Sequence, residues 1–303
     1  MVRVNIASHG GASFMTAEID ETTTVKNLKE MIYKNKGVHP IRQQLIIETN
    51  HEPTIIEDDN IKLMSTYSIT NDSFKILFKD KGPQVNPVIL NTLEYAGAII
   101  AYLLFLPLNA EPFLSINNGK SWQLTSSQQI SLFLWVSHYI KRLLESLFVH
   151  NHGSHTVPTF SIVKECIYYW GFGALVGWSV NRPMVADPPK WHVMVGFPVF
   201  CMAMFCNLIC HIQLKYLRPV GTNKVGLPRG FLFEYVDCPN YFCEIVMWIG
   251  FNIVSGFTPA GIAFCVFGAI YMTMAATAKH AQYKKTFRNK YPRFRKIIFP
   301  FIY

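Results

Sequence analysis

The sequence is short of charge and has no paired-cysteine motif. Of its 303 residues only 16% are charged, against 50% apolar and 14% aromatic, and the mean hydropathy is +0.19. That balance excludes a solvated, disordered chain and exceeds what a water-soluble domain needs to fill its core, so a bilayer is the expected sink. The seven cysteines form no CxxC pair and five lie within apolar runs, which argues against a zinc ribbon or disulfide framework and for thiols acting as small hydrophobes. The first twenty residues lack a basic segment followed by an apolar core, so no cleavable signal peptide is expected. Acidic residues are missing altogether after Glu244.

What charge there is divides unevenly. Met1 to Gly82 carries 10 Lys+Arg against 11 Asp+Glu, whereas Pro83 to Tyr303 carries 18 against 8, and eight of those basic residues fall between Lys279 and Lys296. Two regions with different solvents are implied: a cytosolic head at 1–82 and a membrane domain at 83–303. The basic tail belongs on the cytosolic side by the positive-inside rule. Basic residues flanking apolar runs suit lipid headgroups or phosphorylated ligands, and nucleic acid is discarded as a partner.

Val2 to Ser8 and Ser13 to Ile19 alternate apolar and polar around His9-Gly10-Gly11, which predicts a hairpin. Val25, Leu28, Met31 and Ile32 follow as a helical stripe, capped by Thr24 and ended by Gly37. Further strands are predicted at Gln44 to Glu48 and Phe74 to Lys79. This order, with Thr24-Val25 opening the helix and Arg42-Gln43-Gln44-Leu45 entering the third strand, resembles the ubiquitin fold. There is no Gly-Gly terminus for conjugation.

Beyond the head the expected fold class is mostly α, a polytopic helical membrane domain of about six spans. Leu93 to Leu108 gives the first. Ser121 to Ile140, continuing towards Val149, Cys166 to Asn181 and Trp191 to Leu214 give three more, the last long enough to cross a core of about 30 Å. Ile245 to Ala278 is uncharged and broken by Thr258-Pro259 and Gly261, so one long helix or two spans are open, with two favoured. An even number puts head and basic tail on one side.

Three clusters carry possible chemistry. The string HYIKRLLESLFVH, His138 to His150, sets a cation pair and Glu145 inside an apolar helix. Ionisable groups at that depth are functional by default, although a Lys141–Glu145 pair one turn apart is the bland alternative. The string FEYVDCPNYFCE, Phe233 to Glu244, sets polar groups just before a long apolar helix; Asn240 as N-cap and Glu244 near the dipole explain two of them, but not Tyr241. The tail from Lys279 to Lys296 interleaves aromatics and cations, which suits either a membrane anchor or the adenine and phosphates of a dinucleotide.

These clusters in this order resemble the steroid 5-alpha-reductase superfamily, and the two strings its very-long-chain enoyl-CoA reductase branch; the similarity covers nearly the whole chain, head included. The resemblance implies NADPH-dependent reduction of a trans-2-enoyl-CoA, the last step of each very-long-chain fatty acid elongation cycle, in the endoplasmic reticulum membrane with both termini cytosolic. It implies Tyr241 and Lys141 as catalytic residues, with Lys141 either tuning Tyr241 or binding phosphate. Cofactor contacts carry over to Asn207, His211, Arg218, Asn240, Glu244, His280, Tyr283 and Arg295, and substrate contacts to Tyr139 and Arg142. Implied partners are the long-chain enoyl-CoA substrate, membrane lipid, and the elongase, 3-ketoacyl-CoA reductase and 3-hydroxyacyl-CoA dehydratase of the elongation complex. The alternatives are reduction of another lipid enone, such as a steroid, and a non-catalytic adaptor acting through the head.

Gly171 to Gly177 superficially offers a dinucleotide loop, but it lies inside an apolar helix with no preceding strand, so close helix packing is expected instead. His150, His152 and His155 lack the repeated histidine pairs of di-iron membrane enzymes, and no metal is expected.

Overall fold

The computed structural model describes residues 1–8, 10–47, 54–56, 59–67, 74–106, 123–150, 156–182, 186–217 and 226–303. They form two compact units, one built on Met1–Ile89 and taking in a short strand of a later segment, the other holding most of the chain from Leu90 onward.

In the first unit β1 (Val2–Ser8) and β2 (Ser13–Ile19) form the expected hairpin. Helix α1 (Val25–Lys36) begins at Thr24, whose side chain accepts from the Asn27 backbone N–H while Asn27 answers with its own side chain, and it ends at Gly37 with φ 68°. Only glycine takes that left-handed conformation without a Cβ penalty. Strands β3 (Gln43–Ile47), β4 (Thr54–Ile56) and β5 (Phe74–Asp80) complete a sheet of order β2-β1-β5-β3-β4, with β5 parallel to β1 and the other pairs antiparallel; a short helix α2 (Leu63–Tyr67) lies between β4 and β5 in sequence. Period-two alternation turns Val4, Ile6, Leu45, Ile47 and Ile76 onto Leu28 and Ile32 of α1, and each such burial is worth about 1.5–3 kcal/mol. Gln43 is buried here, donating to the carbonyls of Lys29 (2.9 Å) and Val38 (2.7 Å). The unit runs past the boundary expected at Gly82, because β6 (Gln84–Val85) pairs with β7 (Val157–Pro158).

The second unit is helical: α3 (Pro87–Leu103), α4 (Ser126–Phe148), α5 (Phe160–Val180), α6 (Lys190–Tyr216), α7 (Pro239–Val254) and α8 (Pro259–Phe287). The uncharged run from Ile245 to Ala278 is thus two helices, broken at Gly256 and Phe257, which both take positive φ. Among the described residues, two helices are long and apolar enough to cross a membrane, Lys190–Tyr216 and Pro259–Lys290; α3 is apolar but shorter. The expected six spans meet a limit of length here, since the 16 residues of α7 reach only about 24 Å at 1.5 Å each.

Small residues let these helices close up. A Cβ on Gly173 or Gly177 of α5 would come within 2.8 Å of the Ala98 carbonyl or 2.7 Å of the Tyr102 carbonyl on α3, so these two glycines form the packing face expected of the run, while Gly171 meets nothing within 4 Å among the described residues. Gly196 of α6 and Gly250 of α7 meet in the same way, a Cβ on Gly196 lying 2.7 Å from the Gly250 carbonyl oxygen. At the centre stands Trp135, fully buried, its ring 5.0 to 5.7 Å from Tyr139, Trp248, Phe251 and Phe264. The outer face is apolar too, with Phe133, Leu147, Ile167, Met202, Phe205, Phe267 and Met274 all more than half exposed.

Candidate active site

Within the helical unit a cavity of about 230 Å³ opens between α3, α4, α5, α6, α7 and α8. One wall is polar, formed by His138 and Arg142 of α4, Asn207 and His211 of α6, and Asn240, Tyr241 and Glu244 of α7; the other is aromatic and apolar, from Tyr168 of α5 along the Phe264, Gly268, Met272 and Ala275 face of α8. The close approach at Gly196 and Gly250 brings the polar ends of α6 and α7 together. Asn207, buried there, donates to the Asn240 carbonyl (2.8 Å) and to Glu244 (3.3 Å), and its amide oxygen accepts from Lys141.

The first cluster forms one charge network. Lys141 pairs with Glu145 at 2.9 Å, the expected i, i+4 contact; Arg142 reaches the other Glu145 oxygen at 3.2 Å and donates to the Tyr95 hydroxyl at 2.9 Å; His211 lies 3.0 Å from Glu145. Glu244 receives His138 and the Trp248 indole, both at 3.2 Å. Every one of these carboxylates is therefore matched, as burial demands. Glu145, His150 and His211 also present ligating atoms within 4.8 Å of one another, but a cation there would compete with Lys141 and Arg142 for the same carboxylate. His152 and His155 lie outside the described residues, as does Arg218.

Asn240 is not the N-cap of α7. Cys238 occupies that position without a side-chain cap bond and Pro239 follows; proline at the first helical position needs no N–H partner, which frees the Asn240 side chain for the cavity. Tyr241, also on the cavity, has the Lys279 ammonium 5.0 Å from its ring centroid. Lys141, for which tuning Tyr241 or binding phosphate were the two open roles, contacts Glu145 and Asn207.

A second polar group surrounds Asp237, three residues before Asn240. The segment from Tyr235 to Cys238 pairs with the tail, Asp237 N–H donating to the Lys296 carbonyl (2.9 Å) and Lys296 N–H to the Tyr235 carbonyl (2.9 Å). Asp237 thereby gathers His280 at 2.5 Å, the Tyr291 hydroxyl at 2.8 Å and Arg295 at 3.5 Å. Burial and the bond to Asp237 raise the Tyr291 phenol above its ordinary range, keeping it a donor. Arg295 is buried, and among the described residues none of its three guanidinium nitrogens has a hydrogen-bond partner. A buried, under-bonded fork of donors is fitted to a planar or phosphate anion. Tyr283 is buried one turn beyond Lys279. Sequence reasoning missed Asp237, Tyr291, Tyr95, His138 and Lys279; all but Tyr95 stood inside the quoted clusters, but only the fold shows what they face.

Comparison with known proteins places this architecture. Residues 155–303 match the family model described as 3-oxo-5-alpha-steroid 4-dehydrogenase. The chain is 37% identical over 294 residues to the very-long-chain enoyl-CoA reductase of Dictyostelium discoideum, covering 96% of this chain and 94% of that one. It is 35% identical over 293 residues to a probable very-long-chain enoyl-CoA reductase of Caenorhabditis elegans (94% and 92%), and 29% identical to the trans-2,3-enoyl-CoA reductase-like protein of Mus musculus (94% and 79%). With its apolar helices, its end-to-end match to these relatives and its C-terminal half matching the steroid reductase type, the chain is a membrane protein that belongs to the very-long-chain enoyl-CoA reductase family.

Proposed function

We propose that the protein reduces trans-2-enoyl-CoA thioesters to saturated acyl-CoA with NADPH, as the last step of very-long-chain fatty acid elongation. The observation that carries this reading is a cavity with one polar and one apolar wall, on which Tyr241 stands between the Asn207–Asn240–Glu244 network and the apolar face of α8. A thioester needs the first wall and an acyl chain the second.

The residues fit a dinucleotide at the polar end. Arg295, under-bonded and buried, with His280 and Tyr283, suits the phosphates and the adenine side; Asn207, His211, Asn240 and Glu244 suit the amide-bearing ring, and Arg218 is assigned by resemblance. When bound, the nicotinamide supplies a hydride to the substrate β carbon. Negative charge then develops on the thioester oxygen, and Arg142 and Tyr139 hold the substrate at the polar wall. The Tyr241 hydroxyl delivers a proton to the α carbon, completing addition of two hydrogens across the double bond, and the phenolate is reprotonated from solvent. Lys141 orders the polar wall through Glu145 and Asn207.

The same reading includes a six-span arrangement in the endoplasmic reticulum membrane with both termini cytosolic, and association with the elongase, 3-ketoacyl-CoA reductase and 3-hydroxyacyl-CoA dehydratase. The six helices among the described residues of the second unit and the basic tail support it. The head at 1–82 is proposed as ubiquitin-like, a reading supported by the strand order β2-β1-β5-β3-β4 with α1 packed on one face. A steroid enone is the second candidate substrate, favoured by the description of the matching family model. The test is NADPH oxidation by purified full-length protein offered a long-chain trans-2-enoyl-CoA and a steroid enone in parallel, with and without Tyr241→Phe. Turnover of the thioester alone, lowered about a hundredfold or more by Tyr241→Phe, is expected; reduction of the steroid alone overturns the assignment.

A further inference from the structure

The cavity is too small to enclose the substrate proposed above. Its volume of about 230 Å³ falls below the roughly 300–1,000 Å³ that holds a drug-sized ligand, and a very-long-chain acyl group is of that size even without its CoA moiety. The tail must therefore leave the cavity. It cannot pass inward, because Trp248 and Phe264 line the cavity and pack on the fully buried Trp135, with ring centroids 5.3 and 5.6 Å away. Among the described residues lining the cavity, Tyr271 of α8 alone is exposed, at 62%. Its helical neighbours Phe267, Ile270 and Met274 are also more than half exposed and apolar, so here the cavity wall is also the lipid-facing wall.

That wall is closed differently from the other helix contacts of this unit. At Gly173 and Gly177 a Cβ would strike the carbonyls of α3, and at Gly250 the Phe200 backbone nitrogen at 2.8 Å, so those seams are sealed backbone to backbone. α5 and α8 meet through side chains. Between ring centroids, Phe172 of α5 lies 5.3 Å from Phe264 and 6.0 Å from Phe267 of α8, and Tyr168 lies 6.1 Å from Phe264. Beside this aromatic contact Gly268 leaves room: a Cβ there would stand 3.5 Å from the Tyr168 hydroxyl and 3.7 Å from the Met272 methyl, both of them ends of side chains. Side-chain rotations open such a seam on a fast timescale, whereas a backbone seam opens only when whole helices move.

We propose that the seam between α5 and α8, at Tyr168, Gly268 and Tyr271, is a lateral port through which the acyl tail of the substrate runs from the cavity into the surrounding lipid. The inference rests on the proposed reading of the substrate as a long-chain enoyl-CoA. The apolar face of α8 leads to the port. Tyr241 packs with Met272, and Ala275, Met272 and Gly268 follow one another along the cavity at helical spacing, about 10 Å from first to last at 1.5 Å per residue. A short acyl chain held by its thioester at the polar wall ends inside the cavity. A long one passes Tyr271, and each methylene that emerges exchanges one apolar surrounding for another, because lipid tails are as apolar as the protein side chains they replace. A small cavity thus accepts many chain lengths, with no selection on the tail beyond the port.

The experiment uses full-length protein in lipid nanodiscs and has one readout that needs no turnover. A saturated very-long-chain acyl-CoA with a diazirine at mid-chain is photolysed on the protein, with and without excess unlabelled acyl-CoA, and the competed adducts are mapped by mass spectrometry. Adducts on Tyr168, Phe267 and Tyr271 are expected; competed adducts on Trp135 and Phe251 inside the bundle, or on Phe133 and Met202 of the other outer faces, overturn the proposal. The second readout is kcat/KM with NADPH for trans-2-hexenoyl-CoA and trans-2-hexacosenoyl-CoA in the series Gly268→Ala, Gly268→Leu and Gly268→Phe, whose first member places only a Cβ in ordinary contact. As the side chain grows, the long substrate is expected to lose about tenfold or more relative to the short one, and the competed adducts to disappear. An equal fall for both lengths, or adducts that persist as the seam is filled, overturns the port. Competed adducts at the seam without reduction of either thioester keep the port and remove the reductase reading.

Discussion

The two units of this chain are built inside out relative to each other. The strand unit buries Val4, Ile6, Leu45 and Ile76 and keeps ion pairs such as Arg3–Glu18 and Arg42–Asp80 at the surface, with Lys29–Asp59 set partly into the fold. The helical unit exposes Phe133, Phe205, Phe267 and Met274 and buries Glu145, His211, Asp237 and Arg295. Each arrangement follows from its solvent: water rewards hidden hydrocarbon, whereas lipid gives no such reward and penalises every unmatched polar group. In the first unit most of the charges lie outside the core. In the second they form the site.

The contrast is broken most severely at Glu145. Glu145→Leu leaves Lys141, Arg142 and His211 facing one another without their carboxylate, and a loss of about 3–5 kcal/mol is expected, read as a lower melting temperature of the detergent-purified protein together with abolished turnover. Gly250→Leu comes next: a side chain forced against the Phe200 backbone at 2.8 Å should cost about 1–3 kcal/mol and part Asn207 from Asn240, so that turnover falls before the head loosens. Gln43→Leu sharpens the comparison from the other side. It removes two buried backbone contacts and should cost the strand unit about 1–3 kcal/mol, seen as faster amide exchange across β3 and β5 with turnover unchanged; lost turnover would tie the head to catalysis.

The smallest effect concerns pH. Asp20 is held at about 2 by hydrogen bonds from the Thr23 and Thr22 hydroxyls and the Thr22 backbone. A depressed carboxylate contributes stability that is present above its unfolded value near 4 and fades as the pH falls towards 2. Amide exchange at the start of α1 should therefore quicken between pH 4 and 2, and Asp20→Asn should flatten that dependence. Because Asp20 lies outside the core, the change stays local.

Local signals made much of the first unit readable. The hairpin, Thr24 as cap and Gly37 as stop all follow from contacts within a few residues, and they were found at the positions read from the sequence. The break in the run from Ile245 to Ala278 was readable for the same reason. Asn240 was read as a cap because Asn favours that position, yet Pro239 shifts the start of α7 to Cys238. The family strings pointed to Lys141 and Tyr241 as important residues. They gave no means of choosing which cation faces Tyr241, because Lys141, Tyr241 and Lys279 come from three helices.

By itself, then, the sequence determined the two solvents, the hairpin, α1, β3 and β5 of the head, the apolar helices and the residue types available for chemistry, since composition, periodicity and caps act over one or two turns. Which charges neutralise one another was decided only by tertiary structure. The glycine contact of α6 with α7 seats Asn207 against Asn240, and the pairing of the tail with Tyr235 to Cys238 carries Arg295 to Asp237. Electrostatic partnership depends on distances across helices that no local rule sets, and in a low-dielectric interior those distances determine which carboxylate holds which cation.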